Sequence, residues 1–97
     1  MPTYISLLTF TPQGLQRIKD TTKRADAFRE TARQKGASLK DVYWTLGEYD
    51  VVTIIEAPND ETVTALLYDL VSVGNVHTKT LKAFSAQEMG KIVAGMA

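Results

Sequence analysis

Few residue types in this 97-residue chain could do chemistry, and they are scattered. There is one histidine, His77, and no cysteine. A lone imidazole titrates near neutral pH and can serve as a general base. One histidine without cysteine makes no zinc site, so none is expected. The lack of cysteine also rules out a thiolate nucleophile or a disulfide. His77 falls on an expected edge strand beside Lys79, where a surface or half-buried structural histidine is the competing reading.

Tyr49-Asp50 is the most informative pair. A phenol beside a carboxylate at the end of a cavity could orient a polar ligand. Equally, Asp50 could accept backbone N–H groups in a turn while Tyr49 packs on a neighbour. Tyr43 and Trp44 are adjacent on an expected strand and so face opposite ways. Aromatic walls suit a planar ligand, and core or interface packing suits them as well. Arg24 lies on an expected helix with Arg17, Lys23 and Arg29 and could hold an anionic group. Asp20, Asp26 and Glu30 interleave with these cations, as on a solvated helical face. The candidate ligand-binding residues are thus Arg24, Tyr43, Trp44, Tyr49, Asp50 and His77. No catalytic residue stands out. No phosphate loop, nucleophile elbow or dinucleotide fingerprint is present.

The elements that must position these residues follow from periodicity. Tyr4 to Phe10 is rich in β-branched and aromatic residues and reads as a strand. Thr11-Pro12 offers a cap and a first helical position. Leu15, Ile18, Ala25, Phe28 and Ala32 then fall at helical spacing, predicting one long helix ended by Gly36. Leu39 to Leu46 and Val51 to Ala57 read as strands joined by Gly47-Glu48-Tyr49-Asp50. Glycine at 47 permits the positive φ that a tight reversal commonly needs. Pro58-Asn59-Asp60 starts a second helix with Val63, Leu66, Leu67, Leu70 and Val71 on one stripe. Val76 to Phe84 is the fourth strand. Ser85-Ala86-Gln87-Glu88 has the form of a capping box, opening a short helix with Met89, Ile92, Val93 and Met96 on one face.

The order β-α-β-β-α-β predicts an α+β, ferredoxin-like domain. It has a four-stranded antiparallel sheet, central first and third strands, and both long helices on one face. In the first strand Ile5 and Leu7 oppose Leu8 and Phe10. In the third, Val52 and Ile54 oppose Val51 and Ile55. The helix-free face is therefore also apolar, whereas a solvated face alternates with polar residues. The simplest cover is the same face of a second copy, which predicts a homodimer or a higher oligomer. Fold-back of the tail helix over that face is the alternative.

Composition bounds the rest. Residues 1–97 make one domain. Eleven basic and eleven acidic residues cancel, although Arg17 to Lys35 is locally basic. The balance argues against nucleic acid or an anionic membrane as the main partner. Met1-Pro2-Thr3-Tyr4 has neither a basic n-region nor an apolar h-region, so no signal peptide is expected. No apolar run approaches the ~20 residues of a membrane span. The reading is cytoplasmic.

Several segments together resemble the GYD-domain family. Gly47-Glu48-Tyr49-Asp50 followed by Val51-Val52 matches the Gly-x-Tyr-Asp segment that names it. Thr9-Phe10-Thr11-Pro12-Gln13-Gly14, Arg24-Ala25, Glu56-Ala57-Pro58, Gly74-Asn75-Val76 and Thr78 to Phe84 are similar too. The likeness runs from about Tyr4 to Phe84. It implies the dimeric α/β-barrel superfamily, in which two ferredoxin-like sheets pair face to face. That superfamily holds cofactor-free oxygenases, lactone isomerases, haem enzymes and ligand-sensing domains, so the fold leaves function open. Its haem-degrading members use an asparagine, a tryptophan and a helical histidine. Here Ser6 stands in the first strand and His77 on a strand, so neither haem nor another cofactor is expected.

The leading expectation is a homodimeric small-molecule-binding or sensing domain. Its pocket would lie between sheet and helices, with Tyr49-Asp50 at the mouth. A cofactor-free oxygenase or isomerase acting on a small aromatic or carbonyl compound is the second expectation. A structural dimerisation module is the third.

Overall fold

The computed structural model describes residues 1–97. Four strands, β1 (Thr3–Phe10), β2 (Ser38–Trp44), β3 (Val51–Glu56) and β4 (Val76–Ala83), form one antiparallel sheet in the order β2-β3-β1-β4. Four helices join them: α1 (Pro12–Gln16), α2 (Thr21–Gln34), α3 (Asp60–Ser72) and α4 (Ala86–Ala94). The expected β-α-β-β-α-β order, the central pair β1 and β3, and edge strands at β2 and β4 are all present. Tyr4, Phe28, Ala32, Leu39, Ile55, Val63 and Leu66 join α2 and α3 to one face of the sheet in a shared core.

The expected single helix from Pro12 to Gly36 is instead broken. Thr11 Oγ1 accepts the Gly14 N–H at 3.1 Å, and α1 starts on Pro12 as the sequence predicts. The chain then leaves helical geometry at Arg17 (φ −109°, ψ 27°) and runs through a 3-10 turn, Ile18–Asp20, before α2. Arg24 compensates the break, its Nη1 donating to the Arg17 carbonyl at 2.6 Å. Leu15 and Ile18, expected on the buried stripe, are exposed. They lie on the far side of the break, so helical phase no longer carries them toward Phe28 and Ala32, which are buried.

The third-strand reversal follows expectation. Gly47 has φ +124°, a region an L side chain rarely adopts. Asn59 accepts the Thr62 N–H at 2.8 Å and caps α3. Ser85 and Glu88 complete the capping box of α4, and those backbone and side-chain bonds hold the Glu88 carboxyl below the usual range.

The helix-free face is apolar along its centre. Ile5 stands between Ile54 and Leu81, and Leu7 pairs with Val52, which pairs with Tyr43. No element of the chain covers this face. α4 does not fold back onto it: Met89, Ile92, Val93 and Met96 are all exposed, and no helix or strand packs along them. The chain measures 52 × 31 × 18 Å.

Candidate functional site

The helix-facing core is divided. The large cluster described above gathers around Tyr4, Ile55 and Leu66. A second, of Leu8, Val51 and Val76, lies at the other end of the central strands. Between the two clusters, under α2 and α3, lies a half-open cavity of about 250 Å³. Close-packed interiors hold few voids larger than a water molecule, so this one is a feature of the fold. Its sheet side carries Leu8, Val42, Val51, Thr53 and Val76. Thr21, Arg24 and Phe28 approach from α2, Leu70 and Val73 from the end of α3, and Trp44 and Phe10 add aromatic walls.

The polar groups around the cavity are mostly engaged with the protein. Trp44 Nε1 donates to Thr21 Oγ1 at 3.0 Å, tying β2 to α2. Arg24 donates to the Arg17 carbonyl at 2.6 Å and to the Gly14 carbonyl at 3.4 Å. Asp69 Oδ2 stands 3.1 Å from Lys35 Nζ. Asn75 Oδ1 accepts from Gln13 Nε2 at 3.0 Å. Thr53 is the exception. It is 4% exposed, and its hydroxyl has no hydrogen-bond partner in the protein. The neighbouring polar side chains in the sheet satisfy one another: Ser6 Oγ meets Thr80 Oγ1 at 2.9 Å, and Thr80 meets Thr78 at 3.0 Å.

The candidate residues fall into two groups. Arg24 and Trp44 line the cavity. Tyr43, Tyr49, Asp50 and His77 do not. Tyr43 and His77 project from the helix-free face, at register positions opposite Val52 and Thr9, and both are exposed. Asp50 serves the turn: its Oδ2 accepts the Phe10 N–H at 2.8 Å, and its own N–H donates to the Leu8 carbonyl at 2.9 Å. The Tyr49 carbonyl accepts the Thr45 hydroxyl at 2.5 Å across the same loop. The Gly47-Glu48-Tyr49-Asp50 segment therefore ties the β2–β3 loop to the end of β1, beside the cavity wall at Phe10.

Thr53 is the residue the sequence reading did not single out. Its signal was present: a hydroxyl inside Val51-Val52-Thr53-Ile54-Ile55, in phase with the helix-facing Val51 and Ile55.

Distant similar segments also meet in space. Thr11 N–H donates to the Asn75 carbonyl at 3.0 Å, and Thr11 Oγ1 donates to the Gly74 carbonyl at 2.6 Å. Gln13 Nε2 donates to the Val73 carbonyl at 3.0 Å as well as to Asn75 Oδ1. The segment after β1 is thus locked to the segment before β4 at the cavity's α3 end. No three His, Cys, Asp or Glu side chains cluster closely enough to hold a metal ion. No helix is long and apolar enough to cross a membrane.

Sheet and helix pair define a small ferredoxin-like α+β domain. The chain belongs to the GYD domain family, whose model matches residues 4–93. It is 33% identical over 90 residues to a protein of Thermus thermophilus named glutamine synthetase and cystathionine beta-lyase binding protein; the match covers 92% of this chain and 95% of that one. The crystal structure of TTHA0845 from Thermus thermophilus has the same fold, with a TM-score of 0.58 and 24% identity. That match covers 89% of this chain and 96% of the solved one.

Proposed function

We propose that this protein is a homodimeric binding domain that takes a small molecule into the cavity between sheet and helices. The observation carrying this reading is the cavity itself, an apolar space of about 250 Å³ dividing the core. Pockets of this kind, mostly apolar with a few placed polar groups, are the usual form of a small-molecule site. Binding is favoured over catalysis by what lines it. The ionisable side chains there are Arg24 and Asp69, each already bonded within the protein, and His77, Tyr49 and Asp50 lie outside.

The dimer part rests on the uncovered apolar centre of the sheet, where Ile5, Leu7, Val52 and Ile54 offer a self-complementary patch for a two-fold contact. The exposed stripe of α4 adds apolar surface that the chain does not cover itself. A protein partner is a second reading, supported by the name of the Thermus thermophilus relative, which describes a protein that binds two enzymes. In that reading the bound small molecule would modulate the contact.

Native mass spectrometry of the protein purified from its own host tests both parts at once. The expected species is a dimer of the 10.7 kDa chain carrying a small-molecule adduct. A bare monomer at micromolar concentration would overturn the proposal.

A further inference from the structure

With the cavity read as a ligand site, as proposed above, the charge at its edge says what kind of ligand it takes. We infer that the ligand is an amphipathic carboxylate. An apolar body of about one substituted ring fills the cavity, and a single carboxylate bonds the Arg24 guanidinium at the rim.

Two ionisable residues line the cavity, and their states differ. Asp69 has a counter-ion, Lys35 Nζ at 3.1 Å. Arg24 has none. Its partners are the neutral carbonyls of Arg17 and Gly14, at 2.6 and 3.4 Å, and it forms no ion pair with any carboxylate of the chain. Asp26, close by on the same helix, is taken by Arg29 at 3.7 Å. A guanidinium carries five N–H donors, so the two carbonyls leave others without a protein partner. The lining thus holds one cation that no anion of the chain offsets.

Arg24 is also well placed. It lies in the first turn of α2, beside the lining residues Thr21 and Ala25. Its bond to the Gly14 carbonyl holds the guanidinium near Asn75, which abuts Gly14 and lines the cavity too. Arg24 is only partly buried, so it stands where the cavity meets solvent. A carboxylate there keeps part of its hydration and escapes most of the cost of burying an ion. Guanidinium–carboxylate bonds are charge-assisted and among the strong ones.

The walls define the remainder of the ligand. They are mainly hydrophobic, so a second charge pointing inward would lose its hydration and gain no partner. An engineered apolar cavity of about 150 Å³ takes benzene. A space of about 250 Å³ accepts a ring with substituents. Phe10, Phe28 and Trp44 offer aromatic surfaces against which such a ring can stack or pack edge-on.

Three probes of matched shape test this: p-toluate, p-xylene and 4-methylbenzylammonium, each titrated into the full-length protein at neutral pH and low salt. In nuclear magnetic resonance spectra, amide shifts of Leu8, Thr53 and Val76 report occupancy of the cavity. The Arg24 Nε–H resonance reports contact with the guanidinium. The expected order is p-toluate tightest, p-xylene weaker and the ammonium weakest, with only p-toluate moving the Nε–H signal. Added salt should weaken p-toluate severalfold and spare p-xylene. Arg24→Gln removes the charge and should weaken p-toluate about tenfold or more, the loss of a bond to a charged group, while p-xylene is held as before. Arg24→Lys keeps the charge and should lose less. If Arg24→Gln loses p-xylene as well, the substitution has disturbed the cavity, and the probe order, salt response and Nε–H shift of the unmodified protein decide. Either other probe binding as tightly as p-toluate, or p-toluate indifferent to an Arg24→Gln variant that still holds p-xylene, would overturn the ligand class and leave the cavity a binding site. Failure of all three probes to shift the cavity amides would overturn the reading of the cavity itself.

Discussion

The α-carbon of Gly14 lies so close to the backbone of Asn75 that a β-carbon there would stand 2.1 Å from the Asn75 carbonyl oxygen. This contact joins α1 to the segment entering β4. A backbone atom cannot yield as a flexible side chain would. Gly14→Ala is therefore expected to destabilise the fold by roughly 1–3 kcal/mol or more, the cost of overpacking a closed contact. Thermal unfolding should show a fall of about 4–8 °C for each kcal/mol lost. An unchanged midpoint would show that α1 can move away freely.

Asp50 and Phe10 form the second tie. Asp50→Ala removes the acceptor of the Phe10 N–H and should cost about 1–3 kcal/mol by leaving a half-buried donor unpaired. Asp50→Asn keeps a side-chain oxygen and should cost less. Urea unfolding curves measure both. If Asp50→Ala is neutral in stability, the carboxylate acts in something other than the turn.

Thr53→Val should stabilise the unliganded protein. The substitution replaces a hydroxyl without a partner by a methyl of similar volume, removing a desolvation cost of about 1 kcal/mol. Differential scanning calorimetry should show a midpoint raised by about 4–8 °C. A lowered midpoint would mean that the hydroxyl is well satisfied in solution.

The Tyr4 hydroxyl donates to Asp60 Oδ1, and Lys82 Nζ stands 3.2 Å from the same oxygen. The Tyr4 bond, followed by Lys82, holds the Asp60 carboxyl below the usual carboxylate range. Burial, followed by the bond to Asp60, pushes the Tyr4 phenol up to about 12. Asp60's contribution to stability is thus present above its unfolded pKa of about 3.9 and lost as pH falls through its lower folded value. Tyr4's contribution is present below its ordinary value of 10.0 and lost as pH rises through about 12. Ultraviolet titration should find one late-ionising phenol among the four tyrosines. Tyr4→Phe should remove it and move the Asp60 titration, read by carboxyl carbon resonances, upward toward the ordinary range.

The helix-free face should control oligomeric state. Sedimentation equilibrium is expected to give twice the 10.7 kDa chain mass for the unmodified protein. Ile54→Lys places a charge at the centre of the apolar patch, between Ile5 and Asp41 in register. It should weaken the dimer, since a lysine there, even paired with Asp41, must shed its hydration to enter an apolar interface. A dimer that is as tight in Ile54→Lys would move the contact to α4.

Local signals along the chain determined the elements and their faces. Period-two alternation placed Ile5 and Leu7 opposite Leu8, and helical spacing marked Val63, Leu66 and Leu70. Capping side chains set the starts of three helices at Thr11, Asn59 and Ser85. These signals were legible because they depend on neighbours within a few residues. The break at Arg17 was not, because it depends on Gly14 meeting Asn75, 61 positions along the chain, and on Arg24 reaching back to the Arg17 and Gly14 carbonyls. Asp50 was legible as a turn residue, but its partner at Phe10 appears only when β1 and β3 pair. Tyr43 and Trp44 were known to part company, yet only sheet order and helix placement put Trp44 against Thr21 and Tyr43 in the open. The cavity belongs wholly to tertiary structure. It exists because two core clusters form at opposite ends of the same strands and leave Thr53 between them, and no single segment carries the shape of an empty space.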